Sequence, residues 1–203
     1  MKVLAFDTTS GSLSVAVSLN NKVVAQKDLF ENGIQAEMLI PVIEDCLNQA
    51  SIWYQDLDLI AVTNGPGSFT GVRVGLSAAK AMQLATNLPL IGVSSLEVVA
   101  YDYKNGIYDG KNYEKILVVM DAKLDEFFIQ EFDVVNDGIE AVYQPQLIPS
   151  SDINNFLPKV KFLLAESAKL LVTENFLNQN MIFSAESDHI KADNLGLIAA
   201  SFY

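Results

Sequence analysis

A chain of 203 residues, half of them hydrophobic and 19% charged, can bury a sizeable core as one large or two small domains and is no disordered acidic tail. Its 25 acidic and 13 basic side chains leave a net charge of -12, a surface that repels phosphate backbones and argues against unaided nucleic-acid binding. The single cysteine, Cys46, excludes an internal disulfide framework and fits a reducing compartment. No apolar run approaches the roughly 20 residues of a membrane span, and Asp7 follows Met1 too closely for a signal peptide. The expectation is a soluble cytoplasmic protein.

Val3 to Phe6 reads as an apolar strand that ends in the polar turn Asp7-Thr8-Thr9-Ser10-Gly11. Leu13, Val15, Val17 and Leu19 alternate with Ser14, Ala16 and Ser18, the period of a strand with one face buried. Asn20-Asn21 supplies a tight turn, and Val23 to Leu29 returns as a third strand. A helix is predicted over Gln35 to Ala50, with Met38, Leu39, Val42, Ile43, Cys46 and Leu47 on one apolar stripe. Pro41 lies within its first two turns, so the helix either begins later or kinks there. Leu57 to Val62 is a near-continuous apolar run, as expected of a strand covered on both faces.

The run Asn64-Gly65-Pro66-Gly67-Ser68-Phe69-Thr70-Gly71-Val72-Arg73 follows that strand and opens a helix predicted from Gly71 to Thr86. Strand, glycine-bearing turn and helix together are one way to cradle a phosphate on free N–H groups at a helix N-terminus. The companions of that chemistry are missing: no Lys-Ser/Thr pair closes the loop, and the spacing is not GxGxxG. If the turn is structural, Gly67→Ala or Gly71→Ala should lower the melting temperature, by roughly 1–3 kcal/mol where φ is positive. Leu90 to Val93 is the next strand, and Ser94 with Glu97 reads as a capping box that starts a third helix.

The second half repeats the opening. Ile116 to Met120 runs into Asp121-Ala122-Lys123 as Val3 to Phe6 runs into Asp7, and Glu126 to Asp133 and Ile139 to Tyr143 follow as strands around the turn Asn136-Asp137-Gly138. Lys104 to Asn112, rich in Gly, Asn and Asp, reads as a linker between domains 1–103 and 113–203. Beyond it the signal thins to a short strand at Phe162 to Ala165 and a terminal helix at Asn194 to Tyr203, which could pack back on the first domain.

The duplicated strand meander with an Asp after its first strand resembles the actin-like, sugar-kinase and heat-shock ATPase superfamily. More narrowly, Phe6-Asp7-Thr8-Thr9-Ser10, the GPGSFTG run from Gly65 to Gly71 and Asp121-Ala122-Lys123 resemble the TsaB (YeaZ) family of the bacterial machinery for tRNA threonylcarbamoyladenosine. Gln35 stands where that family commonly has His, Lys123 where it tends to Arg, and Ala165-Glu166-Ser167 where a Gly-Asp-Gly turn is expected. The resemblance implies an α/β, duplicated actin-like (RNase H-like) fold of two small domains with mixed sheets flanked by helices, the second reduced. It also implies a non-catalytic subunit that binds the catalytic TsaD subunit and, with the TsaE ATPase, supports modification of the adenosine next to the anticodon. Such a subunit forms a homodimer when alone and meets tRNA only through the complex.

The residues agree with a non-catalytic role. A lone histidine, His189, offers neither a metal cluster nor a base for a nucleophile, and reads as a surface residue. Cys46 reads as a packing residue. No catalytic residue, metal or cofactor is therefore assigned. The alternative is a nucleotide-binding phosphotransferase or ATPase using Asp7, Thr8, Gly65, Gly67 and Ser68; against it, Asp7 and Thr8 can simply tie down the strand end. The expected partner surface is the outer side of the first two helices, at Met38, Val42, Val72, Leu76, Ala79 and Met82, taken to face water.

Overall fold

The computed structural model describes residues 1–31, 33–102, 115–135, 138–156, 163–165 and 189–203. In chain order the first elements are β1 (Lys2–Asp7), β2 (Leu13–Leu19), β3 (Lys22–Leu29), α1 (Gln35–Ala50), β4 (Leu59–Thr63), α2 (Phe69–Thr86), β5 (Leu90–Val93) and α3 (Ser95–Asp102). They are followed by β6 (Lys115–Lys123), β7 (Glu126–Val135), β8 (Gly138–Ala141), β9 (Gln146–Pro149), β10 (Leu163–Ala165) and α4 (Ala192–Ser201). The chain divides into two compact units, Met1–Val98 with His189–Tyr203, and Val99–Asp188. Residues 189–203 thus group with the first unit rather than with 113–203. The linker from Lys104, the Asn136-Asp137 turn and the Glu166-Ser167 pair lie outside the described residues.

The first unit is built on a five-stranded sheet in the order β3-β2-β1-β4-β5. β1, β2 and β3 are antiparallel neighbours, whereas β1-β4 and β4-β5 are parallel. The β2–β3 hairpin turns on Asn20 and Asn21, both at positive φ (50° and 61°), the backbone that a two-residue turn matched to strand twist demands.

Strand alternation decides which helix each face receives. Leu4, Phe6, Leu13, Val15, Val17, Ile60 and Val62 point to one side and pack with Leu39, Val42, Ile43, Cys46 and Leu47 of α1 and Ala79 of α2 in a single core. Burying side chains of this size contributes about 1.5–3 kcal/mol each, so this layer dominates the unit's stability. The other face is also covered, contrary to the one-sided reading of β2: Ser14, Ala16 and Ser18 are buried. α4 lies there, and a Cβ built on Gly196 would reach Ala5 Cβ and Ser18 Oγ at ordinary contact distance. Small residues on that face let the helix approach closely, and the Ser14 hydroxyl accepts the Ala192 N–H at 2.8 Å.

Pro41 sits inside α1, which nonetheless runs unbroken from Gln35. It lies on the solvent side, where water can satisfy the carbonyl that a missing N–H leaves free. The Ser94–Glu97 capping box is not formed: the Ser94 hydroxyl is buried without a hydrogen-bond partner among the described residues.

The second unit carries β10-β6-β7-β8, with β9 also on β7. The antiparallel β6-β7-β8 meander and the parallel strand beside β6 repeat the logic of β1-β2-β3 and β4. β9, at Gln146–Pro149, was not anticipated from sequence; its four residues show no alternation strong enough to declare a strand.

Candidate functional site

Asp7 ends β1 and its side chain is completely buried. One carboxylate oxygen accepts the Thr9 N–H (3.1 Å), the Thr9 hydroxyl (2.6 Å) and the Thr63 hydroxyl, and the other accepts the Ser10 hydroxyl at 2.9 Å. Burial raises its pKa above the ordinary 3.8, while hydrogen bonds from Thr63, Thr9 and Ser10 pull the other way. The hydroxyl ring extends outward: Thr9 to Ser95 at 3.0 Å, and Ser10 to Ser12 at 2.9 Å.

The glycine turn closes over this group. Gly65 holds φ +96°, a conformation L side chains avoid, and its carbonyl accepts the Ser95 N–H at 2.9 Å. Ser68 caps α2 with its hydroxyl on the Gly71 N–H, and its own N–H is donated to the Thr9 carbonyl at 2.8 Å. Thr8 donates its hydroxyl to the Gly71 carbonyl at 2.7 Å. A Cβ would lie 2.6 Å from Thr9 O at Gly67, 1.9 Å from Thr8 O at Gly71 and 2.5 Å from Thr8 Oγ1 at Gly75. These glycines exist because the start of α2 rests directly on the Asp7 turn. Gly71 is not at positive φ, so the cost of a side chain there is a steric clash rather than the backbone strain expected from sequence.

The structure therefore brings Asp7, Thr8, Gly65, Gly67 and Ser68 together, but their polar groups face one another. A phosphate or metal would have to displace four donors from a carboxylate with no accessible surface. In the second unit, Asp121 accepts the Lys123 backbone N–H (2.7 Å) and its ammonium (2.5 Å), so the paired Asp is likewise committed within its own turn. Cys46 is buried, and burial pushes its thiol up to about 11. His189 is half-buried rather than on the surface: its ring lies 4.7 Å from Phe30, which helps bring the chain back onto the first sheet.

The six residues expected on the outer helical face divide. Val42 and Ala79 are 1% and 0% exposed and belong to the core, because α1 and α2 turn those positions onto Val15–Val17 and β4. A charge at either would attack the fold, not a docking surface. Met38, Leu76 and Met82 are partly buried against the same core, and Val72 is half-buried beside Gly65. Sequence reasoning missed the most exposed members of that face. Phe69 is 69% exposed, and the Arg73 guanidinium lies 3.8 Å over its ring. The signal was available: Phe69, Arg73, Leu76, Lys80 and Leu84 recur every three or four residues along one side of α2. Ile40 of α1 is exposed as well.

Two mixed sheets built on one repeated meander, helices on their faces and an Asp turn after each first strand define an α/β protein of the actin-like fold. YeaZ from Pseudomonas aeruginosa superposes with a TM-score of 0.80 at 20% identity, covering 99% of this chain and 91% of that one. An inorganic polyphosphate/ATP-glucomannokinase from Arthrobacter sp. strain KM shares the fold at a TM-score of 0.61 and 6% identity, with 100% and 99% covered. Residues 35–202 match the family model of TsaD, tRNA N6-adenosine threonylcarbamoyltransferase, and the chain belongs to that family. Within it the chain is similar to the tRNA threonylcarbamoyladenosine biosynthesis protein TsaB of Escherichia coli K12, 31% identical over 154 residues, and of Bacillus subtilis 168, 30% identical over 152. The alignments take in 73% and 75% of this chain and 64% of the length of each relative. Among the described residues no helix is long and apolar enough to cross a membrane.

Proposed function

We propose that this chain is a non-catalytic subunit of the threonylcarbamoyladenosine machinery, which binds the catalytic TsaD-type transferase and thereby supports tRNA modification. The observation that carries this reading is the closed Asp7 site. A fold that in kinases presents such a turn to a phosphate here has its carboxylate saturated by its own hydroxyls and its glycine loop used for packing. What remains open to a partner is the outer row of α2, where Phe69 and Arg73 are pre-stacked and Val72, Leu76, Met82 and Met38 supply apolar flanks. Aromatic and Arg side chains of this kind are the usual anchors of protein interfaces. The same surface would hold two copies together when the transferase is absent. A TsaE-type ATPase would join the assembly, and tRNA would meet the chain only through it, in the cytoplasm.

Reconstitution tests this directly. The isolated chain supplied with tRNA, ATP, bicarbonate, threonine and the synthetase that activates the threonylcarbamoyl group should leave the tRNA unmodified, and adding the cognate transferase with the TsaE-type ATPase should produce threonylcarbamoyladenosine. Modification, or magnesium-dependent ATP turnover, by the chain alone would overturn the reading in favour of a phosphotransferase using Asp7 and the Gly65–Gly71 loop.

A further inference from the structure

A cleft of about 260 Å³ opens where α1 ends, lined by Glu44, Leu47, Asn48, Ile52, Trp53 and Tyr54. It lies apart from the Asp7 turn. Its floor is apolar, with Leu47 and Ile52 buried, and one wall is aromatic, with Trp53 67% exposed. Its charge is unbalanced. Nearby carboxylates are engaged: Asp45 with Lys27 at 2.5 Å, Asp56 with the Trp53 N–H at 3.0 Å, and Asp58 with the Lys2 N–H at 2.6 Å. Glu44, the cleft's one charged lining residue, has no ion pair or hydrogen bond among the described residues. The last turn of α1 holds no basic side chain either; the Ser51 and Ile52 N–H groups cap the Asn48 and Leu47 carbonyls, and no side-chain cation there offsets the helix dipole. Burial, and then the Glu44 carboxylate, push the Tyr54 hydroxyl above its ordinary 10.0, which keeps it a neutral donor at physiological pH.

An aromatic wall, a free carboxylate and a helix C-terminus all favour a cation. The volume is below the roughly 300–1,000 Å³ of cofactor and drug-sized sites, and suits a single side chain. A guanidinium uses such a place better than an ammonium, because its plane stacks on an indole while its edge forks onto a carboxylate. We propose that this cleft seats an arginine side chain of a partner protein, stacked on Trp53 and paired with Glu44.

Trp53 is the chain's single tryptophan, so its emission reports this cleft alone. The full chain is titrated at constant ionic strength with N-acetyl-arginine amide and, separately, with the neutral isostere N-acetyl-citrulline amide. The expected result is a saturable change in the millimolar range, about fivefold tighter for the arginine compound and about threefold weaker in Glu44→Gln, whose melting temperature stays at the wild-type value. Non-saturating responses of equal slope for both compounds would overturn the proposal, as would a Glu44→Gln variant that binds the arginine compound like wild type. Self-association abolished by Glu44→Gln would place a second copy's basic side chain in the cleft and overturn the assignment to a partner.

Discussion

Gly71→Ala tests whether the glycine turn is a packing device. The added Cβ would fall 1.9 Å from the Thr8 carbonyl oxygen and 2.9 Å from its carbon, an approach that real Cβ atoms do not make. The atoms in the way are backbone, so the start of α2 must move off the Asp7 turn. Overpacking of this kind costs about 1–3 kcal/mol, and weakening the buried Thr8–Gly71 hydrogen bond adds about 0.5–1.5 kcal/mol. Alanine's better helix propensity returns about 1 kcal/mol, since Gly71 already lies within α2. The net loss is about 0.5–3.5 kcal/mol, or roughly 2–14 °C in melting temperature for a unit of this size. Urea unfolding followed by circular dichroism, with thermal melts in parallel, measures both. Gly196→Ala in α4 is the matched control, because its Cβ would meet only side-chain atoms at ordinary contact distance, Ala5 Cβ at 3.4 Å, Ser18 Oγ at 3.6 Å and Val3 Cγ1 at 3.9 Å. It should melt at or slightly above the wild type. A Gly71→Ala protein as stable as wild type would show that the close approach is not needed and would reopen the ligand reading of the turn.

Asp7→Asn carries a signed pH dependence. Burial raises the folded-state pKa, so between the ordinary 3.8 and that raised value the folded protein binds more protons than the unfolded chain, and this group's contribution falls as pH rises. The melting temperature of Asp7→Asn relative to wild type should therefore climb as pH increases from about 4 through the raised pKa; a flat or falling difference refutes it. Val42→Glu buries an unpaired charge in the α1 core and should cost about 3–5 kcal/mol, read as loss of the cooperative melt. Phe69→Glu, exposed at the start of α2 with Arg73 four residues on, should leave the melt within about 2 °C of wild type and weaken transferase binding about tenfold by calorimetry. Unchanged binding would remove Phe69 from the partner surface. Cys46, buried with its thiol held up to about 11, should resist Ellman's reagent at pH 8 until the chain is unfolded in urea; rapid reaction of the native protein contradicts its burial.

Much of this architecture is legible in the amino-acid order, because it is written in local periods. The alternation from Leu13 to Leu19, the paired asparagines at positions 20 and 21, the 16-residue stripe of α1 and the second appearance of strand-then-Asp at Asp121 each need only neighbouring residues to be read. The Gly65–Gly71 run marks its turn the same way. What the order could not declare is which surfaces meet across the fold. Ser14, Ala16 and Ser18 read as a polar outer face until α4, almost 180 residues later, closes over them. α2 is rich in Gly and Ala on several sides, so its inward face is chosen by where Gly71 and Gly75 can touch Thr8, which turns Ala79 inward and leaves Phe69 and Arg73 outside. The closure of Asp7 is decided in the same way: its four donors come from residues 9, 10 and 63, and only the parallel pairing of β1 with β4 brings Thr63 beside it. Local sequence determines which elements form and where they stop. Burial and closure of a site depend on contacts between distant segments, and those are decided by packing.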